Sequence, residues 1–508
     1  MLQFEIHDPK GPSQERPLVR AHLLGRDDQP VGGTVELTGN RIVCKPDDAA
    51  ATALCFEFDA APIGRLMLQT CLLPQREEPY RLNLELARHR IKQYIAKGEE
   101  WLLFDPASGG DSFKIWERAR TLFVQAMNEP DRTVAEGKAR ESLVAGLEAS
   151  ERLAIMHAQG GFKRRYAQRA ASSTLMGVRV DPRMDAGAVG AAAVEFDVVA
   201  VETPWALIEP KPGEFNFDQV DRWMALAAQS RRPIVAGPLL RFDEASLPGW
   251  MLSRKGDFKA IVDRSYIFME QVVHRYRAIA TLWNLCSGLH LNTWQPFADS
   301  ERIDLARRAA LLVRQGRRGA RTLVELCDPF GEAVGDRPDA ITAWQFLERL
   351  LQEGVHIDAV GMQMRMGDGG GGFGVRDMLQ VSAALDRFIG YECKVMLSVV
   401  GVPSDAAASG GWWRQPWSPA LQEGWAERLA LVALSKPFVE TVVWERLGDV
   451  AGVRGSCGLL DGAGKTKPAA RKLLNIRNQL RKPLGGAPAP KRETAASSDE
   501  TAAGAPPA

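Results

Sequence analysis

No run in this chain approaches the eighteen consecutive apolar residues of a membrane span, so a transmembrane helix is excluded from the reading. The amino terminus, MLQFEIHDPKGPSQERPLVR, has charges and a proline where a secretory leader carries an apolar centre, and a soluble, unexported, cytoplasmic chain is expected. Net charge is nearly absent: 64 Lys and Arg against 63 Asp and Glu leave a formal +1. No overall field therefore draws the chain to nucleic acid or to an anionic membrane. Cysteines are few and scattered (Cys44, Cys55, Cys71, Cys286, Cys327, Cys393, Cys457), odd in number and without a C-x-x-C pair. That spacing gives neither a disulfide framework nor a zinc site, and reduced, buried thiols are expected. His274, His290 and His356 have no His or Cys neighbour at ligand spacing, so no metal and no other cofactor is implied. Finally, no Trp or Tyr precedes Tyr80, which deprives that segment of the aromatic faces on which sugar-binding sandwiches hold their ligands.

What is present is an ordinary globular balance, 45% apolar and 25% charged, in 508 residues, too many for one core. Short apolar or alternating runs split by Gly, Pro and Asp predict a small antiparallel β domain over residues 1–75. From Tyr80 the apolar period becomes helical, as in Leu143, Leu147 and Ala154, and predicts a helical segment over 76–170. After residue 484 the sequence has almost nothing to bury, so 485–508 is expected to be a disordered tail.

Between them the chain is organised around residues 196–240. An apolar run at 196–201, with Asp197 as its only charge, is followed by a helical stripe (Val220, Trp223, Met224, Ala227) and a second apolar run at 234–240, which is a β-α-β unit of a buried parallel sheet. Similar runs at 175–180, 282–285, 322–326, 357–363, 394–400 and 441–444 bring the strands to eight over residues 171–484. The fold class expected is α/β, a (β/α)8 TIM barrel, with its site on the loops at the carboxyl ends of the strands.

Glu209-Pro210, Gly213, Phe215-Asn216-Phe217 and Asp221 resemble a string found after the second strand of glycoside hydrolase family 10, the xylanase-type barrels. Leu247-Pro248-Gly249-Trp250 is similar to that family's L-P-x-W, and the run from Ile357 to Gln363 to its I-D-G-I-G-x-Q. Val442-Val443-Trp444 resembles its V-x-V-W, and Leu459, Leu460 and Asp461 with Lys467-Pro468-Ala469 its closing motif. The pieces fall in the family's order over about residues 170–480.

The departures fall where the family does its chemistry. The resemblance aligns the acid/base glutamate of W-D-V-V-N-E with Gly288, and the nucleophile of T-E-L-D with Leu397. Retaining hydrolysis needs two carboxyl groups about 5–5.5 Å apart, and neither residue supplies one, so endo-xylanase activity is expected to be absent. Sugar contacts of the family become Ala200, Val201, Thr203, Pro204 and Pro238, while Glu202, Trp205, Gln363 and Trp444 persist and Arg365 replaces a histidine. Glu202 and Glu445, at the ends of strands two and eight, form a displaced pair about 9–10 Å apart at the backbone, near the spacing an inverting mechanism uses. Against that pairing stands an alternative in which Glu202 binds a rim donor such as Arg365 and Glu445 points to solvent.

Trp412, Trp413, Trp417 and Trp425 cluster in and just beyond a Gly- and Pro-rich loop after strand seven, as stacking faces for a saccharide or as packing onto the rim. The run from Gly367 to Gly372 reads as a connector, and the phosphate-loop likeness ending at Gly464-Lys465-Thr466 fails because Leu459 stands where its first glycine belongs. The substrate-binding set is thus Trp205, Gln363, Arg365, Trp412, Trp413 and Trp444. Three functional readings follow: a degenerate barrel that binds an oligosaccharide or polysaccharide or serves as a scaffold; a glycoside hydrolase using displaced carboxylates; and a structural protein whose partner docks on the amino-terminal region.

Overall fold

The amino-terminal runs pair as two four-stranded sheets. One has the order Gly33–Thr38, Arg41–Pro46, Leu2–Glu5, Tyr80–Arg81, and the other Pro30–Val31, His22–Leu24, Ala53–Asp59, Arg65–Gln69. Pairing is antiparallel throughout except that Tyr80–Arg81 lies parallel to Leu2–Glu5. Alternation decides the buried face: Leu2, Phe4, Ile42 and Cys44 are fully buried while their neighbours Gln3, Glu5 and Val43 are not. This computed structural model describes residues 1–481 apart from 8–17, 167–173, 336, 338, 368–372, 407, 409 and 450–455. The tail expected over 485–508 and most of the glycine run after Gly367 therefore lie outside the described residues.

Three helices follow, α1 (Leu82–Glu100), α2 (Pro106–Asn128) and α3 (Arg132–Tyr166). The start of α2 is fixed by Asp105, whose side chain accepts from the Ala107 and Ser108 amides ahead of Pro106 in the first turn.

The barrel strands are, in order, Leu175–Val180, Val198–Val201, Ile234–Ala236, Leu282–Ser287, Arg321–Leu326, Ala359–Arg365, Lys394–Gly401 and Val439–Trp444. Each pairs in parallel with the next, and the eighth pairs with the first, closing the ring. One residue from each strand meets inside: Leu175, Val198, Val235, Leu282, Leu323, Ala359, Met396 and Val443. This layer is a packed core, as in other barrels of the class, so anything that binds must do so above it.

The amino-terminal part lies against one flank of the barrel. Helix α3 packs on the helices Pro419–Ser435 and Met378–Asp386 that follow strands seven and six. The sheets reach the loops after strands five, six and seven: the Met67 amide donates to the Val375 carbonyl at 2.8 Å, the Arg414 amide to Ile63 at 2.6 Å, and Arg20 pairs with Glu332 at 3.0 Å. Deep in this seam Arg90 and Asp377, both essentially buried, form an ion pair at 2.9 Å.

The tryptophan loop belongs to the same seam. A small hairpin, Gly411–Trp412 with Gln415–Pro416, approaches the strand Arg65–Gln69. Trp412, Trp417 and Trp425 are at most 2% exposed, and the Arg428 guanidinium covers the Trp412 ring at 4.9 Å. These three indoles are interior packing and offer no open stacking face, while Trp413 is half-buried beside Trp412. Of the two readings open in the sequence, Trp412, Trp417 and Trp425 follow packing, and the strand that approaches their hairpin lies more than three hundred residues earlier in the chain.

Two outcomes are expected. Asp377→Ala leaves Arg90 buried without its counter-ion and should cost about 3–5 kcal/mol in urea unfolding. Trp412→Ala should cost about 3–5 kcal/mol by the same measurement, as core tryptophan deletions do; a variant of unchanged stability would show the indole is not core.

Candidate functional site

Because side chains alternate along a strand, the residues that face the barrel mouth follow from the interior layer by steps of two. From Leu175 the next inward positions are Gly177 and Arg179; from Leu323, Glu325; from Ala359, Gly361, Gln363 and Arg365; from Met396, Ser398; from Val443, Glu445; from Val198, Ala200 and then Glu202 just past the strand end. Strand four carries a bulge between Asn284 and Cys286, which turns Ser287 inward. The mouth is thus a polar ring on an apolar plug.

Its centre is Arg179, which is 7% exposed. One terminal nitrogen lies 2.5 Å from Glu325 Oε2 and 3.1 Å from the Ser398 carbonyl, and the other lies 3.5 Å from Glu202 Oε1. Glu325, fully buried, also accepts from Ser287 Oγ at 2.7 Å and Gln363 Nε2 at 2.8 Å. Burial alone would raise its carboxyl, but Arg179 and these hydrogen bonds outweigh burial and hold it at about 2. Arg179 is pushed up in turn: burial opposes its charge, and Glu325 and Glu202 more than compensate.

The other mouth carboxylates each have an arginine as well. Arg241 Nε lies 2.5 Å from Asp243, Arg183 lies 2.5 Å from Asp181, and Arg365 lies 3.8 Å from Glu445. Burial would raise Asp243, yet Arg241 and the Ser246 hydrogen bonds bring it below the ordinary carboxylate range. Asp328, beyond strand five, is pushed up to about 6 by burial and by Glu332, but it is 1% exposed and its oxygens accept the Glu332 and Ala333 amides. It holds its loop together and does not reach the mouth surface.

Several expected residues fall elsewhere. Gly288 sits at the mouth with a left-handed backbone, φ 65 and ψ 20, and a β-carbon there would stand 3.2 Å from Cys327 Sγ. Leu397 faces the surrounding helices, because Met396 and Ser398 hold the inward parity; strand seven carries no carboxylate at any position. Trp205 is buried, bonded to Glu209 at 2.7 Å and stacked on Phe268, and Trp444 is buried with its indole donating to the Cys457 carbonyl at 2.7 Å. Neither presents a ring to the mouth. Gln363 does reach it. The alternative pairing of Glu202 with Arg365 is also corrected: Arg365 goes to Glu445, Glu202 to Arg179, and the Glu445 side chain is 3% exposed, folded over Gly401 where any larger residue would strike it. Arg179 and Glu325 were missed in the sequence, although a lone charge at inward parity in an otherwise apolar strand is a readable signal.

The closed ring of eight parallel strands, with helices outside it and β sheets before it, makes this chain a (β/α)8 barrel protein with a β-rich amino-terminal region. No protein-family profile and no curated protein matches it. Among solved structures it is similar to GH10 from Paenibacillus barcinonensis, at 18% identity over 62% of this chain and 97% of that one, TM-score 0.47. It is also similar to native xylanase 10B from Thermotoga maritima (14%, 61% and 96%, TM-score 0.47) and to xylanase 10B from Thermotoga petrophila RKU-1 in complex with xylobiose (15%, 60% and 95%, TM-score 0.46).

The Glu325 carboxylate sets a pH dependence. Its depressed folded-state value means its stabilising contribution is complete above the ordinary 4.5 and is lost as pH falls toward about 2. Glu325→Gln should flatten the stability profile in that window and, at neutral pH, cost about 3–5 kcal/mol because Arg179 keeps only Glu202 as an ionic partner. Urea unfolding at pH 7 and at pH 3 checks both.

Proposed function

We propose that this chain is a family-10-like barrel without the family's hydrolytic machinery, and that its mouth binds a saccharide. The observation that carries the reading is the pairing of every described mouth carboxylate (Asp181, Glu202, Asp243, Glu325, Glu445) with an arginine within 4.0 Å. A glycosidase needs one carboxyl that carries a proton near neutral pH and a second that attacks or activates water. Arg179 holds the Glu325 carboxyl, and Arg241 the Asp243 carboxyl, below the ordinary range, which works against the first role, and Gly288 offers nothing in its stead. The same groups suit recognition. Arg241, Asp243, Glu202, Gln363 and Arg365 are partly exposed and alternate fork-shaped donors with carboxylate acceptors, the complement of a row of sugar hydroxyls.

A hydrolase with displaced carboxylates is the second reading. It is favoured by the inward parity of Glu202 and Glu445 on strands two and eight, which flank strand one. A scaffold role for the amino-terminal region is less supported, because that region spends its face on the chain's own barrel.

Purified chain incubated with xylan or aryl xylosides is expected to release no product above background. Xylobiose should bind in calorimetry, and Arg241→Met or Glu202→Gln should weaken it about tenfold or more, the loss of one to two polar contacts. Turnover abolished by Glu202→Gln and by Glu445→Gln would overturn the binding reading in favour of the hydrolase; xylobiose affinity indifferent to both mouth variants would remove the mouth as the site.

A further inference from the structure

A cavity of about 350 Å³ opens in the seam between the amino-terminal sheet and the barrel flank. Its barrel wall comes from the helices Ala343–Gln352 and Met378–Asp386 and the turn after the latter, and none of the mouth residues Arg179, Glu202, Glu325 or Glu445 lines it. It is a separate site from the one above.

The two walls are chemically opposite. On the barrel side Arg387 lies flat over Trp344, its guanidinium carbon 4.3 Å from the ring centre. Trp344 is itself held by a 3.1 Å hydrogen bond to the Pro329 carbonyl and by packing on Phe388. The cation is therefore oriented by packing and not by a carboxylate, and burial lowers its pKa although Asp28 and Asp27 pull the other way. On the amino-terminal side stand Asp27 and Asp28, consecutive residues with left-handed backbone (φ 59 and 54). Among the described residues neither closes to an ion pair with Arg387. Beside them the side-chain carbonyl oxygens of Gln29 and Gln93 are buried with no hydrogen-bond partner.

The cavity thus has an oriented cation on one wall and two carboxylates on the other, with space between. Lys97 and Arg376 also line the cavity but are taken up by Glu100 and Asp386 and by Glu332; an anion would match Arg387 but meet Asp27 and Asp28, and a cation would meet the reverse. A hydroxyl donates and accepts at one atom, and several hydroxyls on a small frame match both walls at once. The volume lies at the small end of ligand pockets. We propose that this seam cavity binds a neutral polyhydroxylated molecule of mono- to disaccharide size, held between the Arg387 fork and the Asp27 and Asp28 carboxylates.

The test uses the full chain carrying Arg241→Met and Glu202→Gln, so that binding at the barrel mouth does not contribute. Calorimetric titration with glucose, xylobiose and cellobiose is expected to show one site for at least one of them. Arg387→Met, which keeps the stem over Trp344, and Ala383→Phe, which fills the cavity, should each weaken that binding at least tenfold. Gln29→Leu serves as a further variant if the larger side chain impairs folding. The proposal is overturned if none of the three sugars binds, if binding survives the cavity variants in folded protein, or if inorganic phosphate or spermidine binds there more tightly than any of them.

Discussion

A guanidinium placed inside a ring of apolar strands must be neutralised where it stands, since an unpaired buried charge costs several kcal/mol. Arg179 is that group, and the mouth of the barrel is built to satisfy it. Strand five supplies Glu325, strand two supplies Glu202, and the strand-seven backbone turns the Ser398 carbonyl toward it. Ser287 and Gln363 complete the Glu325 shell. Six of the eight strands thus meet in one network, and Arg179 with the hydrogen bonds around Glu325 holds that carboxyl well below its ordinary range. Gly288 is constrained from the backbone side: its left-handed conformation and the nearby Cys327 leave little room for a side chain.

The amino-terminal part depends on buried polar pairs of the same kind. Arg90 with Asp377, Arg20 with Glu332, and Arg428 with Glu151 all cross between the amino-terminal part and the barrel. Apolar packing alone would tolerate a sliding interface, whereas each of these pairs is satisfied in one docking geometry only. The tryptophans Trp412, Trp417 and Trp425 supply the apolar area, and the charges supply the register. Where the two surfaces do not quite close, a cavity remains with Arg387, Asp27 and Asp28 among its lining residues.

Much of the framework is legible in the amino-acid sequence because it follows from local periodicity. Alternation over the first 81 residues, the change to a helical period after Tyr80, and eight apolar runs separated by helical stripes are consequences of which residues are buried at each step. The strand bounds moved by a few residues, as with Val198–Val201, because hydrogen-bond pairing and not apolarity ends a strand. Gly288 and a strand seven empty of carboxylates are likewise facts of sequence, and no folding can put a proton donor there.

What the sequence could not decide is what each polar or aromatic residue meets. Leu397 looked like a mouth residue until parity with Met396 turned it to the helices. The tryptophan loop could stack on a ligand or pack on the rim until folding buried Trp412, Trp417 and Trp425. Arg365 was a candidate partner of Glu202 until the closed ring gave it Glu445 and gave Glu202 to Arg179. Burial, charge pairing and the shape of a cavity are relations between residues far apart in the chain, set by the docking of whole elements. The sequence by itself determined the strands, the helices and the absence of a side chain at Gly288; only the tertiary structure decided which charges neutralise one another and which residues line a cavity.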